Sequence, residues 1–367
     1  MLFLTQFCLV QVFIVLELTL FYISFEAVLI PMFLLIMIWG SRERKIHAAY
    51  QFFLYTLIGS FMFLLALFLV YSVVGSTDYL TLLSVRLTEY HQIVLGIALF
   101  VAFSVKIPLF PFHIWLPEAH VEAPTAGSVL LAGILLKMGA YGILRFMLPL
   151  CPVCVDYISP FVYVICVIGV FYTAFTTVRQ IDLKKIIAYS SVGHMCFVIV
   201  GLFAGNYQAL EGSIYLMITH GLVSPALFLS IGVLYDRYGS RLYSYYGGMA
   251  ALMPVFSLFF YIFILANFSL PGTCSFVAEI LVVVGVFASE ALVSALLFLS
   301  GAIGLVYSLW LANRVLAGPL SSHIFIYSDL TKTEFIYLFV LVLLTFVLGF
   351  YPKPVLDYFH IIAGNIF

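Results

Sequence analysis

Charge is what this sequence has least of. Lys and Arg total 15 and Asp and Glu 16 in 367 residues, or 8% of the chain, where a soluble domain carries about 25%. That scarcity excludes a soluble domain and a charge-rich disordered chain. It excludes a nucleic-acid binder as well; the formal net charge of -1 decides nothing, because the charges sit in loops. Cysteine is sparse: Cys8, Cys151, Cys154, Cys166, Cys196 and Cys274. Only Cys151 and Cys154 form a Cys-x-x-Cys. A zinc site would need two more ligands nearby, and Asp156 is the sole candidate, so the pair reads as loop cysteines. No phosphate loop, dinucleotide fingerprint or iron–sulfur spacing is present. The sequence therefore predicts no redox centre, bound cofactor or metal of this chain's own. No basic start or small-residue cleavage site announces a leader.

Apolar residues are what is there: 65% of the chain is hydrophobic and the mean hydropathy is +1.21. Runs of the roughly 20 residues that cross a bilayer recur from end to end. The fold class is an all-α polytopic membrane protein. Residues 2–39 are too long for one crossing of about 30 Å, so the run must turn near its middle, at Glu17. Further spans read as 52–74, 92–121, 126–148, 158–178, 185–204, 211–235, 250–288, 291–313 and 335–351. Two of them are interrupted, by Pro108, Pro111 and Pro117 and by Leu270-Pro271-Gly272, because proline removes a backbone donor and clashes with the preceding turn. Each counts as one crossing, which gives 11 helices.

Loop charge orients them. One side holds Arg42, Arg44, Lys45, Arg179, Lys184, Lys185, Arg237, Arg241, Arg314 and Lys332; the other holds Arg86, Arg145 and Lys353. The count is 10 against 3, and the basic side is the cytoplasm or matrix by the positive-inside rule. Cys151 and Cys154 then face the outer compartment, where a disulfide is permitted. Glu43, Arg44, Asp182, Lys184 and Lys185 read as a solvated, orientation-setting face. The 37 Phe and 24 Tyr fit a T-rich organellar gene.

Six spans carry a titratable residue well inside the apolar run: Glu26, Lys106, Lys137, His194, His220 and Glu279. A charge at the bilayer centre costs about 2.5–3.5 kcal/mol. Structural ion pairs and satisfied core histidines are the bland reading, and for a single His they are the better one. Lys137, in Leu-Leu-Lys-Met-Gly, has no acid in its own helix and must find a partner on another. Alternating acid, amine and imidazole groups joined by water make a proton path, whereas no shaped pocket for a sugar or amino acid is evident. His113, Glu118, His120 and Glu122 are metal-capable types, but Pro111, Pro117 and Pro124 keep them off one helical face.

The stretch Lys106-Ile107-Pro108 through His113-Ile114-Trp115-Leu116-Pro117-Glu118-Ala119-His120-Val121-Glu122-Ala123-Pro124, followed by Gly127-Ser128 and Leu136-Lys137-Met138-Gly139-Ala140-Tyr141-Gly142, resembles the chain 4 subunits of respiratory NADH:ubiquinone oxidoreductase (complex I). Phe25-Glu26-Ala27-Val28-Leu29-Ile30-Pro31 agrees. Asp182 through Ser191 with His194 also agrees, though that motif is shared across the antiporter-like subunits. The resemblance runs from about Glu17 to about Glu279.

It implies two inverted five-helix repeats, 1–148 with its break near Pro108 and 158–313 with its break near Pro271, then a C-terminal helix at 335–351, in a single membrane domain of 1–367. It implies a glutamate–lysine pair, Glu26 with Lys106; a central lysine, Lys137; and an acid on a broken helix, Glu279. His113, His194 and His220 fall on or near the hydrophilic axis as proton-relay candidates. The implied function is proton translocation within a proton-pumping NADH:ubiquinone reductase, with NAD, FMN, iron–sulfur clusters and ubiquinone in other subunits. The implied partners are chains 2 and 5 as flanking neighbours, accessory subunits and membrane lipids, in the mitochondrial inner membrane or, alternatively, a bacterial plasma membrane. Relatives of this kind usually have fourteen helices, so three before the first repeat are lost here or supplied by a separate polypeptide. The alternatives are a subunit of a multi-subunit cation/proton antiporter and a non-conducting spacer.

Overall fold

The structure is a computed structural model that describes residues 1–321 and 328–364. Among these, nine helices are long and apolar enough to cross a membrane: α2 (Leu18–Trp39), α3 (Lys45–Val74), α5 (Glu89–Lys106), α7 (Thr125–Leu150), α8 (Pro152–Arg179), α9 (Leu183–Phe203), α10 (Tyr207–Tyr238), α13 (Ala291–Leu316) and α14 (Lys332–Phe350). Three shorter apolar helices join them: α1 (Leu2–Ile14), α11 (Pro254–Asn267) and α12 (Cys274–Ser289). Counting α11 with α12 as one broken crossing, and α1 as another, brings the described crossings to 11, the number expected. The short helices α4 (Tyr79–Ser84) and α6 (Trp115–Glu122) and a terminal α15 (Lys353–Gly364) complete the set. The chain is a multi-pass membrane protein.

Local chemistry ends the helices where the sequence breaks. The first apolar run turns at Val15–Glu17. There the Leu18 amide donates to the Thr77 carbonyl, the Tyr79 amide to the Leu16 carbonyl and the Thr77 hydroxyl to the Glu17 carboxylate. Thr88, Asp182 and Asn206 cap α5, α9 and α10 by accepting from the backbone one turn in, as such residues do at exposed helix starts. Gly75 and Gly239 close α3 and α10 at φ +75° and +66°, a region that costs glycine nothing.

Two compact units divide the chain: Met1–Gly127 with Ile134–Cys166, and Ser128–Gly133 with the chain from Val167 onward. The first is built on an aromatic core. Phe21, Phe25, Phe63 and Phe103 are all buried, with ring centroids 5.4–6.4 Å apart. In this unit α5 stops at Lys106 and the chain resumes as α6 at Trp115. The Trp115 indole N–H donates to the Val105 carbonyl at 3.0 Å and so satisfies one carbonyl freed by the break. Pro117 does not interrupt anything, contrary to the sequence reading. It is the third residue of α6, where the missing N–H has no intrahelical partner in any case.

The second unit packs α10 against α9 and α12 around a core that includes Phe228, Phe256, Phe260 and Phe263. Its break lies between Asn267 and Cys274. Gly349 of α14 lies on it so closely that an added Cβ would sit 2.3 Å from the Gly272 carbonyl oxygen. Non-helical backbone at membrane depth needs such cover. Two members of the expected solvated face are corrected here. Asp182 and Lys184 are buried, the former as an N-cap and the latter with its ammonium donating to the Ser128 hydroxyl at 3.4 Å. A cap must turn toward its own helix, and a lysine one residue into α9 points along it rather than outward.

Candidate functional site

In the first unit, Glu26 and Lys106 meet. Lys106 is 2% exposed. Its ammonium donates to the Phe25 carbonyl at 3.4 Å and stands 4.3 Å above the centre of the Phe25 ring. Glu26 is the next residue, and each charge acts on the other, with the Ser60 side chain beside the carboxyl. One Glu26 oxygen, Oε1, is buried without a hydrogen-bond partner among the described residues. The lysine is thus held by an aromatic face and a carbonyl rather than by a closed ion pair. A cation over a desolvated ring gains about 2 kcal/mol.

Lys137 is buried in the middle of α7. Its segment, Leu136–Gly142, is regular α-helix bounded by π-helical turns at Leu131–Leu135 and Ile143–Met147. Such turns collect at functional sites. Gly139 and Gly142 let this helix lie against Phe103 and Ile107: an added Cβ would fall 2.6 Å from the Ile107 side chain and 2.4 Å from the Phe103 ring. His113 lies in the α5–α6 break, buried, its ring stacked on Phe110 at 5.7 Å.

The second unit brings three sequence-predicted residues together. His194 Nδ1 lies 3.0 Å from Glu279 Oε1, and the His194 and His220 rings are 5.5 Å apart. They come from three helices, α9, α10 and α12. Close approach of α10 and α12 sets the geometry. A Cβ at Gly212 would fall 2.7 Å from the Val282 nitrogen, and one at Gly285 would fall 2.4 Å from the Ala209 nitrogen. Small residues let membrane helices pack at this range.

A cavity of about 40 Å³ opens beside the pair, lined by Thr173, Thr177, Ser190, Asn267, Ser300 and Tyr307 among others. At 10–15 Å³ per water centre, it has room for about three waters. The Thr173, Thr177, Ser190 and Ser300 hydroxyls donate to carbonyls of their own helices, which leaves their lone pairs to accept from water. Asn267 and Tyr307 are the residues that sequence reasoning missed. Both are 8% exposed and reach the same cavity as Glu279. A polar residue three positions before Leu270-Pro271-Gly272, inside an apolar run, was a signal for Asn267; Tyr307 is one of 24 tyrosines and carried none.

Among the described residues no group of three or more His, Cys, Asp or Glu is placed to hold a metal. All six cysteines are buried, and none is joined in a disulfide among the described residues. Cys154 donates weakly to the Ile93 carbonyl at 3.6 Å and packs on Gly96.

Residues 16–304 match the family described as NADH:quinone oxidoreductase/Mrp antiporter, TM. The chain is 53% identical over 370 residues to NADH-ubiquinone oxidoreductase chain 4 of Marchantia polymorpha, covering 99% of this chain and 74% of that one. It is 54% identical over 363 residues to the protein of the same name from Arabidopsis thaliana, covering 98% and 73%. Among solved structures it superimposes on a chain of respiratory complex I from Thermus thermophilus with bound NADH, with a TM-score of 0.92 at 29% identity, over 99% of this chain and 77% of the other. A chain of the Mrp complex from Dietzia sp. DQ12-45-1b gives 0.89 at 18% identity, over 99% and 76%, a likeness of fold alone. The chain belongs to the NADH:quinone oxidoreductase/Mrp antiporter family of transmembrane proteins, among the chain 4 subunits of NADH-ubiquinone oxidoreductase.

Proposed function

We propose that this chain translocates protons as a membrane-arm subunit of NADH:ubiquinone oxidoreductase. The observation that carries the proposal is the His194–Glu279 contact at 3.0 Å, with His220 beside it and a polar cavity against it. A carboxyl, two imidazoles and room for water can accept, hold and pass a proton without any other chemistry. Lys106, modulated by Glu26, loads a proton. When Glu26 is charged it favours the ammonium, and when Glu26 is neutralised it releases that hold. Lys137 passes the proton along the axis, with His113 as a relay. Glu279 exchanges it with the outer side, through His194 and His220.

The energy comes from electron transfer elsewhere. In this reading NAD, FMN, the iron–sulfur clusters and ubiquinone lie in other subunits, and this chain is part of the enzyme without performing redox chemistry. Chains 2 and 5 flank it, and the assembly lies in the mitochondrial inner membrane. Six titratable groups inside spans support this over an inert spacer, which would gain nothing from lysines in lipid.

The test has two steps. Native gel separation with in-gel NADH dehydrogenase staining should place the chain in a large NADH-active band. A small NADH-inactive band with other antiporter-like subunits and sodium-dependent transport would replace this reading with a cation/proton antiporter. In the assembled complex, Lys137→Ala should abolish its share of proton pumping. Full pumping in that variant sinks the relay.

A further inference from the structure

Glu279 also lines a second and larger space, of about 490 Å³, formed mainly by residues of the α11–α12 break, α12 and α13. The two spaces share Glu279, Phe197, Phe268 and Gly301. Its walls are otherwise apolar: Ile280, Val284, Phe298 and Leu305 line it, and all four are exposed at the surface of a membrane-embedded helix. It is therefore a crevice entered sideways from the hydrocarbon.

Two polar atoms sit in this apolar lining. One is the Ser269 hydroxyl, which is buried and has no hydrogen-bond partner among the described residues. The other belongs to the Glu279 carboxylate, which lines this crevice as well as the polar cavity and whose Oε1 faces His194. No Lys, Arg or His lines the crevice. We infer that it is a binding site for a membrane-partitioned amphiphile with a cationic amine head, the tail lying along Ile280, Val284 and Leu305 and the ammonium against Glu279.

Charge complementarity selects this occupant. An acyl chain alone would leave the carboxylate oxygen and the Ser269 hydroxyl bare in an apolar space, which is costly. A fatty acid would set its carboxylate against Glu279. An ammonium satisfies the first group and leaves the hydroxyl free to turn. The volume lies within the range of small-molecule pockets, about 300–1,000 Å³. Occupancy would hold the carboxylate in its charged form and compete with His194 for it, so such an amphiphile would act as an inhibitor of proton exchange. The binding site itself stands whether or not Glu279 carries protons.

The test is photolabelling of the assembled complex in liposomes with a diazirine-bearing dodecylamine, against a diazirine-bearing dodecanoic acid of equal length. The amine should label peptides covering 276–284 and 297–305 at least tenfold more than the acid. Glu279→Gln should remove most of that difference. Ala302→Trp, which fills the crevice from its exposed wall, should abolish labelling by both probes while NADH oxidation continues. Equal labelling by the two probes, or amine labelling unchanged in Ala302→Trp, overturns the proposal. The second variant keeps the test decisive should Glu279→Gln fail to assemble, which in-gel NADH staining reports.

Discussion

Gly285→Ala is the most informative single change in the second unit. Gly285 lies on α12, six residues beyond Glu279 and so about 9 Å along the helix axis. The added Cβ would stand 2.4 Å from the Ala209 nitrogen, 2.7 Å from its Cα and 2.8 Å from its Cβ. Contacts of this kind relax at roughly 3.4–4.0 Å. The first two atoms are backbone, so no rotamer can yield, and α10 and α12 must part by about 0.6 to 1 Å. Overpacking of this sort costs about 1–3 kcal/mol. The Asn206 amide, which donates to the Gly285 carbonyl at 2.6 Å and caps α10 through its oxygen, would be strained by the same shift.

The consequence for the site follows from rigidity. If α12 moves away from α10 as a body while α9 stays with α10, Glu279 is carried from its place 3.0 Å from His194 by as much as about 0.6–1 Å, which stretches the contact to at most about 3.6–4 Å, beyond hydrogen-bond reach. Misplacement by about 1 Å can cost as much as a hundredfold in a positioned reaction. The expected result is a lowered thermal midpoint of the purified complex and at least tenfold slower proton translocation per NADH oxidised, read in proteoliposomes with a pH-sensitive dye. Gly301→Ala is the internal control. It is also helical, yet its added Cβ meets nothing within 4 Å, so the complex should be as stable as the parent or slightly more so. Native stability and full pumping in Gly285→Ala, or an equal loss of stability from Gly301→Ala, would refute the close-packing argument; the control is read on stability alone, because Gly301 lines the polar cavity.

Other variants test the remaining geometry. Lys106→Met keeps the side-chain length but removes the cation over Phe25 and beside Glu26; pumping should fall while the complex assembles, and unchanged pumping would remove Lys106 from the path. Tyr307→Phe deletes one hydroxyl from the cavity lining and should slow proton release severalfold without lowering the thermal midpoint by more than about 1 kcal/mol equivalent. Asp329 accepts from the Val255 and Phe256 amides at 2.9 and 3.2 Å and so caps α11 from a distant loop. Asp329→Ala should cost about 1–2 kcal/mol, seen as greater protease sensitivity near residue 254.

The sequence yielded the crossings and both breaks because long apolar runs and prolines are local signals. Leu270-Pro271-Gly272 marked its break to within a few residues, and Glu17 marked the first turn. The titratable residues were legible one by one, since charge within a span stands out. Their grouping was not. Nothing local says that His194 of α9 faces Glu279 of α12: both helices pack against α10, and the glycines that let α10 and α12 approach, Gly212 and Gly285, look like any others. The terminal helix α15 was missed because the last apolar run ends at Tyr351 and the chain beyond it is too short and too polar to read as a span. Yet it forms, and its exposed His360 lies 2.6 Å from Glu211 of α10. Lys184 was misread for a related reason: a charge near a helix end counts as solvated until the neighbouring segment, here Ser128, is known.

The two wide turns of α7 give the central lysine a mechanical property. Each π turn takes in one residue more than an α turn, and one residue is about 100° of azimuth. The segment Leu136–Gly142 is therefore a short rotor between two defects in an otherwise continuous rod. Sliding a defect past Lys137, from Leu135 two residues before it or from Ile143 six residues after it, would re-aim the ammonium without unwinding the helix. It would exchange one set of backbone hydrogen bonds for another of similar number. Re-aiming that side chain then needs no hinge, only a travelling dislocation.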